Sequence, residues 1–355
     1  VSDPSTQPGQ PAPAAAHAPR RATAHHGTLV QELRSTLLTT LDGLLRGTSA
    51  TALIDFPAHS NVGDSAIWLG ALAALRALGA PAPTYTCDAA TYDREALARA
   101  IGDGTILFTG GGSFGDLWER HLRLRERVVA DFPRHRIIQL PESVHFQHAE
   151  SLARSRTVWN AHPRVTILVR DTASLAFVQR EFRTPVQLAP DLACALGSLE
   201  RPTTPPACEL LWLKRDDKED GFPRHRPAHA VDWIAEPRTP LIAWTDALRD
   251  ASTRRDWLRP LARRVLSASY ASLATQRLAR GVALLASARV LVTDRLHGHI
   301  LATQLGIPHV VLDNSYGKLH HYVATWTHAS PIVRTAQTPD EAAHLARTLL
   351  SDPHA

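Results

Sequence analysis

Short apolar runs alternate with helix-forming stretches along most of this 355-residue chain, and that alternation restricts the fold more than any other feature. Apolar strands are expected at Ala52 to Phe56, Thr84 to Cys87, Thr105 to Thr109, Arg136 to Leu140, Val165 to Val169 and Pro185 to Leu188. Between them lie helical stretches at Asp64 to Leu78, Asp93 to Ile101, Leu117 to Asp131, Ala149 to Trp159 and Thr172 to Phe182. Strands that are apolar throughout, linked by helices, imply a mostly parallel sheet covered on both faces. The rhythm breaks at Arg201-Pro202-Thr203-Thr204-Pro205-Pro206 and resumes at Glu209, and the chain is too long for one ordinary core. The reading is therefore α/β, with two Rossmann-like domains facing a cleft. Its boundaries are a disordered tail at 1–27, an N-terminal α/β domain at 28–200 and a C-terminal α/β domain at 207–355. The final helix, Pro339 to Leu350, is expected to pack back across the junction onto the first domain. Leu33, Leu37, Leu41 and Leu44 recur at helical spacing, so the first ordered element is an amphipathic helix, docked on the domain or on a lipid surface.

The C-terminal half carries the sharpest functional signal. The apolar run Ala288 to Val292 stops at Thr293-Asp294-Arg295-Leu296-His297-Gly298, and the next run, Ile307 to Leu312, stops at Asp313-Asn314-Ser315-Tyr316-Gly317-Lys318. Neighbouring parallel strands would then bring Arg295, His297 and Lys318 to the carboxyl end of a sheet, where open α/β sheets place their ligands. A planar guanidinium fork beside a flexible ammonium suits a small anion with phosphate and carboxylate groups. A surface salt-bridge network is the plain alternative.

Composition narrows the partners. Lys and Arg exceed Asp and Glu by 39 to 34, a net charge of +5, and 19 histidines add charge at mildly acid pH. Without an aromatic-interleaved basic stripe, this excess argues against nucleic acid and suits an anionic small molecule or an acidic membrane surface. Cys87, Cys194 and Cys208 are too few and too scattered for a disulfide framework or a thiolate metal site, which points to a reducing cytoplasm. No run of about 18 apolar residues appears, so no membrane-spanning segment is expected.

Two further turns stand between strand and helix. In His59-Ser60-Asn61-Val62-Gly63-Asp64-Ser65, Asp64 or Ser65 is the expected helix cap, while Asn61 and Gly63 can offer N–H groups to a ligand; capping and ligand contact stay equally open. Thr109-Gly110-Gly111-Gly112-Ser113-Phe114-Gly115-Asp116 permits close backbone approach but lacks the lysine and hydroxyl of a P-loop.

Taken in order, these segments resemble the polysaccharide pyruvyl transferase family from about Ala52 to Trp326. The matches are the segment from Asp55 to Asp64, the turn from Gly110 to Trp118, Leu140-Pro141-Glu142-Ser143-Val144-His145-Phe146, Val169-Arg170-Asp171-Thr172-Ala173-Ser174-Leu175 and Leu188-Ala189-Pro190-Asp191. Leu213 to Glu219, Asp294 to Gly298 and Asn314 to Lys318 complete them. One departure is visible, Glu142 standing where relatives usually carry Gln.

The resemblance implies a GT-B-like fold and transfer of the enolpyruvyl unit of phosphoenolpyruvate onto two hydroxyls of one sugar, giving a cyclic pyruvate ketal in an exopolysaccharide or cell-wall glycan. It implies that Arg215, Arg295, Leu296, His297 and Lys318 bind phosphoenolpyruvate, with His297 and Arg295 catalytic and neither metal nor cofactor required. His297 is the expected proton donor; a histidine that only hydrogen-bonds phosphate is the alternative. Asn61, Asp64, Glu142 and Asp191 fall to the acceptor, one carboxylate orienting or deprotonating its hydroxyl. Whether the acceptor is lipid-linked, with the enzyme at the inner face of a membrane, stays open. Arg170 and Asp171 face the cleft or form an interdomain ion pair, His320 and His321 reach phosphate or divide one in and one out, and Trp68 and Trp118 are expected in the core, with stacking on a sugar ring the alternative. The rivals are a GT-B glycosyltransferase using a nucleotide sugar and a catalytically silent glycan-binding subunit.

Overall fold

A computed structural model describes residues 18–217, 219–313 and 317–351. The first sheet contains β1 (Thr51–Ile54), β2 (Pro83–Cys87), β3 (Thr105–Phe108), β4 (Gly111–Gly115), β5 (Arg136–His145), β6 (Val165–Val169) and β7 (Val186–Leu188). Its order is β2-β1-β3-β5-β6-β7, with β4 also beside β5, and every pairing is parallel. The second sheet contains β8 (Cys208–Leu213), β9 (Ala230–Val231), β10 (Ala288–Thr293), β11 (His309–Leu312) and β12 (Val333–Ala336). It runs β12-β11-β10-β8-β9, again all parallel. The α/β class with parallel sheets thus follows from the apolar periodicity, because strands buried on both faces leave no room for polar alternation.

The helices are α1 (Ala18–Leu45), α2 (Val62–Ala77), α3 (Arg94–Ile101), α4 (Glu119–Asp131), α5 (Ala149–Ala161), α6 (Thr172–Glu181), α7 (Pro240–Arg254), α8 (Arg259–Ala286), α9 (Leu296–Leu305), α10 (Lys318–Tyr322) and α11 (Pro339–Ser351). No described helix is long and apolar enough to cross a membrane. Helix α1 buries Val30, Leu33, Leu37, Leu41 and Leu45. It starts at Ala18, inside the stretch expected to be an unstructured tail; residues 1–17 lie outside the described residues.

Four other expectations are corrected. The triple-glycine segment is more than a turn, since Gly111–Gly115 forms β4 and pairs with the end of β5. The cap of α2 is Asn61, not Asp64 or Ser65: its Oδ1 accepts from the Gly63 N–H at 3.1 Å, and it precedes both of them at the helix mouth. Helix α11 does not return to the first sheet, because Ala342, Ala346 and Leu349 pack on Val290, Val292, Val310 and Leu312 of its own sheet. Finally, the two halves do not meet only across a cleft: beside a cluster of its own, each contributes to a shared core. One apolar cluster runs from Leu53, Phe56 and Trp68 through Tyr270 and Leu273 to Leu301 and Val311. Phe56 and Tyr270 stack at 3.9 Å with Trp68 edge-on to both, which joins β1 and α2 to α8. Trp68 is therefore a core residue, as expected. Gly281 lets α8 press on Val62, where any Cβ would overlap that valine.

Beneath α9 a buried chain runs from His309 Nε2 to His299 Nδ1 at 2.7 Å and from His299 Nε2 to Thr327 Oγ1 at 2.9 Å. Burial, then the neighbouring His309, holds the His299 imidazole well below its ordinary pKa, so the folded protein keeps it neutral. The unfolded chain protonates it near about pH 6.5, so the unfolded state binds the extra proton and stability falls as pH drops below that value. His299→Gln is expected to be less stable than the parent at neutral pH. The gap should narrow as pH falls below about 6.5, measured by urea unfolding at several pH values. A gap that widens on acidification contradicts a neutral buried His299.

Candidate active site

A cavity of about 350 Å³ is lined from both sheets: Asp55, His59, Asn61, Asp64, Gly112, Trp118, His121, Arg125 and Arg170 from the first, and Arg215, Asp217, Glu219, Arg295, Leu296, His297 and Lys318 from the second. The strand ends explain this convergence. Strand β10 stops at Thr293, whose hydroxyl accepts from the Arg295 N–H at 3.1 Å, and α9 starts at Leu296, so Arg295 and His297 flank the helix mouth. The open first-turn N–H groups of α9 add positive potential there.

Each cation is held by acids. Arg295 Nη2 lies 2.6 Å from Asp232 and 3.5 Å from Asp217. Arg215 bridges Asp217 at 2.8 Å and Glu219 at 2.6 Å; burial opposes its charge, but these carboxylates outweigh burial and raise its pKa. Lys318 Nζ lies 3.7 Å from Glu219 and over Gly112, where an added Cβ would meet it. Between the strand ends Asp294 is buried, which raises its carboxyl to about 6 although it accepts the Arg215 N–H.

Behind the cavity stands Asp191, fully buried. It takes Arg170 Nη1 at 2.6 Å and sits 3.4 Å from His297 Nε2, too far for a well-formed hydrogen bond but close enough for electrostatic attraction. Burial would raise the Asp191 carboxyl; His297 and Arg170 outweigh it and hold it well below the usual range. Arg170 Nε also donates to Ser143 at 2.9 Å, whereas its Nη2 is buried with no hydrogen-bond partner and points toward the Gly112 side of the cavity. Arg170 therefore faces the cavity, and its ion pair lies within the first unit. Asp171 caps α6 through the Ser174 N–H.

The structure separates the four residues assigned to the acceptor. Asn61 and Asp64 line the cavity, with Asn61 Nδ2 donating to Asp64 at 2.8 Å and His59 Nε2 3.5 Å from the same oxygen. Glu142 and Asp191 are fully buried and do not line it. Glu142 accepts the Ser113 and Phe114 N–H groups beneath the glycine segment, and burial raises its pKa despite Arg125 and Arg170 nearby. Both carboxylates brace neighbouring groups. Neither His320 nor His321 lines the cavity.

Sequence reasoning missed one group. Asp55 follows β1 with φ of 78°, in the left-handed region that a non-glycine residue enters at a cost of about 1 kcal/mol or more. His121 Nδ1 lies 2.8 and 2.9 Å from its two oxygens and Arg125 Nη2 3.4 Å from one of them. Burial lowers the His121 pKa, but Asp55 more than offsets this and raises it. The signal was present: Asp55 ends an apolar strand, and His121 and Arg125 stand four apart on one face of α4. Trp118, expected in the core, is 38% exposed at the cavity and donates to Glu219 at 3.3 Å.

Parallel strands that deliver cations, histidines and carboxylates into one shared cavity define a group-transfer site on an α/β scaffold. The family model described as polysaccharide pyruvyl transferase matches residues 61–316. The chain belongs to that family, which makes it a transferase of the pyruvyl class. It is 35% identical over 327 residues to pyruvyl transferase 1 of Schizosaccharomyces pombe, covering 87% of this chain and 77% of that one. With the Bacillus subtilis protein EpsO it shares 32% identity over 292 residues, covering 80% of this chain and 87% of the relative. A crystal structure of an uncharacterised Klebsiella pneumoniae protein has the same fold at a TM-score of 0.58 and 15% identity, covering 85% of this chain and 99% of that one.

Asp191→Asn removes the charge that Arg170 Nη1 meets at 2.6 Å and should cost on the order of 3 kcal/mol, read from chemical unfolding, because it leaves a buried guanidinium without its paired carboxylate. Gly63→Ala forces a methyl into the His297 ring and should abolish turnover while leaving the fold intact by circular dichroism. Normal turnover in Gly63→Ala would show that the ring need not hold its place.

Proposed function

We propose that the cavity binds phosphoenolpyruvate and a sugar together and transfers the enolpyruvyl unit onto two hydroxyls of that sugar, forming a cyclic pyruvate ketal. The observation that carries this reading is the convergence in one cavity of Lys318 Nζ and the unpartnered Arg170 Nη2, both beside Gly112, with His297 at the start of α9 beside Gly63. Such a cradle favours a small trianion, since Lys and Arg supply charge and the helix mouth supplies directed N–H groups. Arg215 and Arg295, set by Asp217, Glu219 and Asp232, form its second cationic wall, with Leu296 at the helix mouth. Of the rival nucleotide-sugar and silent-subunit readings, neither is favoured by a feature of this cavity.

The chemistry runs as an acid–base addition and elimination. His297 gives a proton to the methylene carbon as one sugar hydroxyl, losing its own proton to a base, adds to the adjacent carbon. The bond from that carbon to the phosphate oxygen then breaks, inorganic phosphate leaving with the electron pair and the bridging oxygen. The second hydroxyl closes the ring and its proton is lost to a base. Asp55 with His121, and Asp64 with His59 and Asn61, are the acid–base groups on the opposite wall, where the acceptor sits in this reading. Fixed charges in a shielded site lower the barrier without reorganising during the step.

Incubation with phosphoenolpyruvate and a panel of galactosides, mannosides, glucosides and N-acetylhexosaminides, read by phosphate release and product mass, tests the reaction. A melting shift with a nucleotide sugar and none with phosphoenolpyruvate would reject it. His297→Asn should keep donor affinity within a few fold and lower turnover by roughly 10²–10⁴. Lys318→Ala should act mainly on donor affinity. Equal loss of affinity in both variants would make His297 a phosphate ligand and remove it as the acid.

A further inference from the structure

The corner between α7 and α8 presents a basic and apolar surface that the cavity does not use. Residues 254–264, Arg254-Arg255-Asp256-Trp257-Leu258-Arg259-Pro260-Leu261-Ala262-Arg263-Arg264, carry five arginines against one aspartate. This local aromatic-interleaved basic cluster is hidden in the modest net charge of +5 of the whole chain. Trp257 is 75% exposed and Leu261 60% exposed, the two most solvent-facing large apolar side chains among the described residues. Arg254, Arg255, Pro260 and Arg264 beside them are exposed as well, whereas Arg263 is turned away over the Tyr85 ring at 4.9 Å. Leaving a tryptophan and a leucine in water is unfavourable, and none of the described residues covers them.

We propose that this corner docks on an anionic phospholipid surface, Trp257 and Leu261 entering the headgroup boundary while Arg254, Arg255 and Arg264 meet lipid phosphates. Charge complementarity supports that occupant: clustered arginines are drawn to an acidic leaflet, and an exposed Trp and Leu between them add apolar insertion. A protruding leucine and proline are of little use to a nucleic acid, which is held by stacked aromatic rings and a basic groove. The placement also fits the cavity. Helix α8 runs about 24 Å from Leu261 to Arg277, at a rise of about 1.5 Å per residue. There Arg277 donates to Pro57 O at 3.2 Å and Arg280 to Ser60 O at 2.9 Å, both at the cavity rim. Docking therefore holds the cavity within reach of a sugar carried on a membrane lipid. The docking itself does not rest on the pyruvyl chemistry, because vesicle binding is read without turnover.

The test is co-sedimentation with vesicles of equal parts phosphatidylglycerol and phosphatidylcholine, against vesicles of phosphatidylcholine alone. The protein should pellet with the anionic vesicles and be released as salt rises. The paired changes Arg254→Glu with Arg255→Glu, and Trp257→Ala with Leu261→Ala, should each weaken binding at least about tenfold. Since all four side chains are exposed, thermal melting and turnover on a soluble acceptor should stay unchanged in both. Equal binding to neutral vesicles, or anionic binding that neither pair weakens, overturns the proposal. Self-association in the ultracentrifuge, or RNA retention, that the variants abolish while vesicles are ignored would give the corner to a second copy or to a nucleic acid, and overturns it equally.

Discussion

A single buried carboxylate, Asp191, organises the charged half of this molecule. It is fully buried, takes Arg170 at 2.6 Å and stands 3.4 Å behind His297, so it links the first unit to the start of α9 in the second. A carboxylate at that depth is tolerated only when paired, and each partner is in turn fixed by it. Arg170 is left with one guanidinium nitrogen unpartnered toward the cavity, and His297 is held between Asp191 and the glycine at the first turn of α2. Remove the carboxylate and the two side chains set against it, Arg170 and His297, lose their anchor. The remaining cations repeat the pattern, Arg215 and Arg295 being set by Asp217, Glu219 and Asp232. The cavity is thus neither a bare basic patch nor a neutral cleft, but an array of cations whose positions are determined by buried and half-buried acids.

The scaffold makes that array rigid. A single apolar cluster spans both sheets, and α8 threads it with Tyr270 stacked on Phe56 at one level and Arg277 bonded to Pro57 at another. Separate cores would allow the two walls to slide. A continuous core sets their spacing, which a reaction needing a donor anion and two acceptor hydroxyls at one carbon requires. The same helix ends at the exposed corner of Trp257 and Leu261, so the cavity and the proposed docking surface are carried on one rigid element.

Much of this was legible because apolar periodicity reports burial directly. The strand runs predicted parallel sheets, and the abrupt end of Ala288 to Val292 predicted Arg295 and His297 at a strand end, where they line the cavity. Other features depend on partners remote in sequence. Nothing local in Asp191 or Glu142 distinguishes an acid that meets a ligand from one buried beneath it; only the return of Arg170 and of the Ser113 N–H decides. Asp232, which fixes Arg295, follows a two-residue strand too short to leave a pattern. Asn61 took the cap from Asp64 because caps depend on where the backbone enters the helix, a matter of one turn that propensity does not resolve. The Asp55 and His121 pair joins a strand end to a helix remote from it in sequence, so neither residue announces the other locally.

The proposed transfer breaks the bond between carbon and the bridging oxygen of phosphoenolpyruvate, whereas phosphoryl transfer breaks the bond between that oxygen and phosphorus. The most direct measurement is therefore turnover of phosphoenolpyruvate carrying heavy oxygen at the bridging position, with the released phosphate read by mass. Label recovered in inorganic phosphate, beside an unlabelled ketal, is the expected result. Unlabelled phosphate, with the heavy oxygen retained on the pyruvyl carbon, would contradict the addition and elimination at this cavity.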